Sequence, residues 1–200
     1  MKKTIVMMAV AMLLLTSCGS TALQQMGGLM NGQTIGNVLT SVLGLDKVTR
    51  QNLIGTWKYS SPGCAFTSEQ LLAKAGGEVA AAEIKTKLAS PFQSVGIKSS
   101  NTFLQFKEDG TFAASIAGKQ WSGKWTYDEQ NYKITLSGLL LNVNCYAKRN
   151  AGGMGILFEA SKLLTLLQTM AALSGNTELQ TVGELAKNYD GLRVGFDMTK

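Results

Sequence analysis

Histidine is absent from all 200 residues, which removes the commonest general base and the commonest metal ligand together. A Ser-His-Asp triad is therefore excluded, and neither Ser-x-x-Lys nor G-x-S-x-G appears. The chain also lacks a clustered set of carboxylates: Glu108 and Asp109, and Asp128 and Glu129, fall in segments that read as hairpin turns, where acidic residues serve solvation. "GGMG" at 152–155 has neither the lysine nor the helix start of a phosphate loop. No basic cluster marks a nucleic-acid surface, because the lysines are scattered. These absences predict a protein that is not an enzyme, holds no metal or cofactor, and binds no nucleic acid.

The first residues say where such a protein works. Lys2 and Lys3 precede an apolar run from Thr4 to Leu15, the charged and greasy parts of a secretory signal. Twelve helical residues span only about 18 Å, short of the ~30 Å bilayer core. The run ends Leu15-Thr16-Ser17-Cys18, which resembles the bacterial lipobox, where the cysteine is acylated and becomes the mature N-terminus. The resemblance implies removal of residues 1–17 and lipidation of Cys18. Several acyl chains, each buried CH₂ contributing about 0.8 kcal/mol, make such an anchor close to permanent. Gly19 is not the aspartate that holds some lipoproteins at the inner membrane, and no acidic run follows. The expected location is the periplasmic face of the outer membrane.

Loss of Lys2 and Lys3 lowers the formal charge from +6 to +4. Cys64 and Cys145 remain, an even number in an oxidising compartment. A bridge would close a loop of about 80 residues and contribute about 4 kcal/mol in the chain-entropy model. Two buried inert thiols are the other arrangement, and sequence leaves both open.

Residues 18–52 read as the lipidated cysteine, a polar tether over 19–33, and a short amphipathic helix. Ile35, Val38, Leu39, Val42 and Leu43 recur at helical spacing up to Gly44. That helix lacks the Lys or Arg of an interfacial helix, so docking on the protein's own domain is expected. From residue 53 to 200 period-two patterning dominates. Phe112, Ala114 and Ile116 share a face, as do Trp121, Gly123, Trp125 and Tyr127, and Tyr132, Ile134 and Leu136. Leu139, Leu141, Val143 and Cys145 continue the pattern, followed by Met154, Ile156 and Phe158, and by Leu192, Val194, Phe196 and Met198. With 53–60 and 102–107 this makes about eight strands, several in short hairpins. One apolar face per strand predicts an antiparallel meander that closes on itself. Two helical stretches interrupt it. Thr67 and Gln70 have capping-box spacing ahead of a helix broken at Gly76-Gly77 and resuming to about Ser90. Residues 163–173 are apolar on most sides, and a second helix over 178–188 is expected to cover them. The fold class is mainly β with helical inserts (α+β).

Gly55-Thr56-Trp57 at the start of the first strand is similar to the G-x-W signature of lipocalins. The resemblance implies an eight-stranded up-and-down barrel whose Trp57 packs across the closed end, with Arg193 of the last strand as its basic neighbour. The helical insert after strand one, and the helical pair before the last strand, depart from lipocalins. Over 53–200 the chain resembles the uncharacterised lipocalin-like lipoproteins of Gram-negative bacteria, on the spans "LIGTWKY", "SPGCAF", "FKEDGTF" and "NYDGLRVGFDM". That family brings no assigned activity.

A barrel of this size is either filled by side chains or just wide enough for one small ligand. Phe103 (or its neighbour Phe106), Phe112, Trp121, Trp125, Tyr127 and Met154 are the inward candidates for lining a pocket, and the small Gly123, Ala114 and Gly155 would leave room. The first expectation is an anchored module binding a small apolar or lipid-like ligand. The second is an interaction subunit with a filled barrel that docks a cell-envelope protein. An apolar void above roughly 300 Å³ favours the first; a packed interior with an apolar patch elsewhere favours the second.

Overall fold

The computed structural model describes residues 47–139, 141–171 and 187–200, all within one compact unit, Gly36–Lys200. The expected signal segment, Cys18, the tether, the helix over 35–43 and most of the helix over 178–188 lie outside these residues.

Eight strands follow in order: β1 (Gly55–Phe66), β2 (Phe103–Phe106), β3 (Thr111–Ile116), β4 (Lys119–Asp128), β5 (Lys133–Gly138), β6 (Asn142–Asn150), β7 (Gly153–Glu159) and β8 (Leu192–Thr199). Each pairs antiparallel with the next, and β8 returns to β1, so the sheet is a closed barrel. Cross-strand partners share a face, and the apolar residues align in such rows. Trp57, Leu104, Ala114 and Trp121 form one row, and Ala147, Ile156 and Phe196 another. Phe106 and Trp125 touch at 5.0 Å between ring centroids although β3 lies between their strands. This row-bearing face is therefore the concave interior. Lys58, Ser122, Lys124, Asn142 and Asn144 take the opposite face and are exposed.

The β3–β4 hairpin turns through Ala117 and Gly118, at φ 52° and 80°, the left-handed pair that matches the strand twist. β1 runs on to Phe66, beyond the expected residue 60, and carries Pro62. That is tolerated because β1 pairs with β2 only over Gly55–Lys58, while its later half bonds only to β8, past an irregularity between Tyr59 and Ser61.

The barrel's two ends are closed differently. The β2–β3, β4–β5 and β6–β7 hairpins meet the start of β1 and the end of β8 at one end. There α1 (Arg50–Leu53), opened by a Thr49 capping box, lays the fully buried Leu53 across the opening. The other end receives the helical inserts. α2 (Glu69–Ala75) begins at Ser68, whose side chain accepts from Leu71 N, and stops at Gly76 with φ 111°. The cap is therefore Ser68 rather than the expected Thr67. α3 (Gly77–Ser94) runs back along β1, from Ala81 beside Cys64 to Phe92 beside Tyr59. α4 (Ala160–Ala171) continues directly from β7 and buries Leu163, Leu166 and Leu167.

Candidate functional site

Trp57 stands across the closed end, 6% exposed, and its Nε1 donates to Leu53 O at 2.7 Å. The cation over its ring is Lys200, 4.8 Å from the centroid, whose Nζ also donates to Ile54 O at 2.9 Å. Arg193, expected in this role, is elsewhere. It alternates with the inward Leu192 and Val194, pairs with Ala65 and Glu159 at the far end of β8, and lays its guanidinium 3.1 Å from the Tyr146 ring centroid.

Of the six expected pocket residues, Phe112, Trp121, Trp125, Tyr127 and Met154 face the interior. Phe103 does not: it alternates with Leu104 and Phe106, and Phe106 takes the inward place. Among the described residues the interior side chains are closely packed. Leu104, Ile134, Leu136 and Phe196 are 0–1% exposed, and a gap wide enough for water would leave accessible area on its walls. Ile84, Leu88 and Phe92 of α3 are buried and belong to the same core. The Phe92 ring sits 5.6 Å from Phe196 and 6.3 Å from Tyr59. The small residues leave no room either. At Gly123 the backbone of β5 approaches so closely that a Cβ would collide with Ser137 O. Gly155 faces outward. At the closed end Tyr127 donates its hydroxyl to Val48 O at 3.0 Å, and burial raises its pKa.

Cys64 and Cys145 are free buried thiols, so the bridge is not formed. From Cys64 on β1 to Cys145 on β6 the wall runs through β8 and β7, three strand spacings or about 14 Å, beyond disulfide reach. Burial raises both thiols, Cys64 to about 12. Titration of denatured mature protein should find two reactive thiols.

A polar row that the sequence reading missed crosses the outer face of β6, β7 and β8 as Lys148, Gly155 and Asp197. Lys85 of α3 reaches Asp197 Oδ2 at 2.8 Å, and Asn150 Nδ2 donates to Oδ1 at 2.6 Å. A Cβ at Gly155 would sit 3.2 Å from Asp197 Oδ1 and 3.5 Å from Lys148 Cβ, so glycine keeps the floor of this cluster clear. Lys148 is 3% exposed and, among the described residues, forms no ion pair within 4 Å. Burial and the Lys85 charge lower its pKa to about 8. The readable hint was Asp197 itself, a carboxylate inside the apolar strand "RVGFDM". The cluster fastens α3 to the barrel wall.

At the open end, Phe103, Ala113, Ala114, Trp121 and Leu139 line a mostly apolar groove of roughly 400 Å³. Leu139 is 99% exposed, and among the described residues the buried Nε1–H of Trp121 finds no acceptor. Gln120 and Ser122 supply polar groups on its edge.

An eight-stranded up-and-down barrel with a G-x-W opening its first strand, the tryptophan lying across a plugged end beneath a late basic side chain, defines a lipocalin-like fold. The chain belongs to the family described as "Lipocalin-like domain (DUF4923)", whose model matches residues 26–200. No curated protein matches it. Among solved structures it is similar to a DUF4847 family protein from Bacteroides vulgatus, with 15% identity and a TM-score of 0.32, over 56% of this chain and 89% of that one.

Proposed function

We propose that this chain is a lipid-anchored, non-enzymatic lipoprotein of the cell envelope, at the periplasmic face of the outer membrane, that holds a small apolar or lipid-like ligand on its open rim. The observation that carries this reading is the groove of roughly 400 Å³ beside Phe103 and Leu139. Its size and apolar walls with a few polar groups are those of small-molecule sites. Gln120 and Ser122 on its edge give polar groups to a ligand that bears an oxygen. The anchor rests on the lipobox-like end of the signal, and Cys18→Ala should release the protein from membranes.

Mass spectrometry of apolar molecules copurifying with the native lipoprotein tests the ligand. Such a molecule should be present with the wild type and lost from Phe103→Glu, which alters an outward side chain. A second reading, docking of an envelope protein through the same rim, is favoured by the packed interior and by the complete exposure of Leu139. It takes over if no small molecule copurifies and Leu139→Glu abolishes a cross-link to another envelope protein.

A further inference from the structure

A second cleft opens at the same end, on the side of β8. Two concavities of roughly 350 and 140 Å³ adjoin there and share Tyr189 and Asp190, in the "NYDGLR" stretch that the family resemblance singled out. We propose that this cleft binds a neutral, hydroxyl-rich ligand of the saccharide class.

The wall of the larger concavity includes Arg193. Its guanidinium carbon lies 3.1 Å from the Tyr146 ring centroid, and among the described residues its buried Nε–H finds no acceptor. The other guanidinium N–H groups are donors that a ligand oxygen in the cleft can meet. The charges around the cleft select what brings that oxygen. Arg193 and Lys74 are matched by Glu159 and Asp190. Lys74 and Asp190 lie 3.6 Å apart at high exposure, a loose pair that leaves both groups available to a ligand. An anionic ligand meets two carboxylates, and a cationic one meets an arginine and a lysine. The walls are more polar than apolar, so a hydrocarbon gains little there. A polyol gives an oxygen to Arg193 and hydroxyl protons to the carboxylates, with the Thr67 and Ser161 hydroxyls able to do either. Tyr189, packed edge-on against Phe66 with centroids 6.3 Å apart, adds an aromatic wall for the C–H face of a sugar ring. The cleft shares no residue with the Phe103 groove, so this inference does not depend on the apolar ligand.

The test is an array of neutral and acidic oligosaccharides probed with detergent-solubilised full-length lipoprotein, wild type beside Arg193→Leu, Asp190→Ala and Phe103→Glu. The expected result is retention of neutral glycans, weakened about tenfold in Arg193→Leu and Asp190→Ala and unchanged in Phe103→Glu. Asp190→Ala alters an exposed side chain and keeps the test informative if Arg193→Leu fails to fold. Retention of no neutral glycan, retention of acidic glycans alone, or full binding by Asp190→Ala would overturn the proposal.

Discussion

The two ends of the barrel are closed by opposite means. At the closed end a one-turn helix is fastened by many small contacts. Trp57 bonds to Leu53, Tyr127 to Val48 and Lys200 to Ile54, Arg50 sits 4.1 Å from the Trp125 ring centroid, and the Arg50 backbone N–H bonds to Glu129. The other end receives one long helix that buries three large side chains and is tied to the wall by one ion pair of low exposure. Redundant fastening tolerates single losses, whereas a helix held mainly by packing depends on each large side chain. The difference also places the concavities: the apolar groove and the polar cleft both lie at the end where irregular elements meet the rim.

The largest test of this contrast is Phe92→Ala, which opens a void under α3 and should cost about 3–5 kcal/mol in urea unfolding. A loss below about 1 kcal/mol would mean that α3 merely rests on the barrel. Next comes Lys148→Met, which should stabilise the protein. The folded state holds the Lys148 proton with a pKa of about 8, against 10.5 when exposed. Between these values the unfolded chain binds more protons, so wild-type stability rises with pH there. The variant's advantage should be about 3 kcal/mol near pH 7 and should vanish as pH passes the unfolded value, in paired thermal melts. At the closed end, Lys200→Ala removes one cation–π contact and one exposed hydrogen bond, and should cost only about 0.5–1 kcal/mol. Smallest is Phe103→Glu, expected to change stability by no more than about 0.5 kcal/mol while altering binding.

Much of the barrel was readable because its code is local. Alternation places Trp121, Trp125 and Tyr127 on one face, and hairpin turns punctuate the strands. Three features were not readable, each for a physical reason. Phe103 is an aromatic in a four-residue strand, too short for alternation to assign it inward or outward against Phe106. Arg193 was placed by family resemblance, but β8 parity turns it away from Trp57, and a residue at the very end of the chain, Lys200, supplies the charge. The packing of α3 along β1 depends on how a helix of low amphipathicity meets the barrel wall, which no local pattern encodes. Gly155 shows the same limit, since its missing side chain clears space for a carboxylate brought by a distant strand.

The most direct measurement is the set of intermolecular NOEs between the isotope-labelled lipoprotein and a bound apolar probe, N-phenyl-1-naphthylamine. Contacts to Phe103 and Leu139 on the rim are the predicted result. Contacts to Ile134 and Leu136, deep between the strands, would mean that the interior opens to ligands and that the barrel is a container after all.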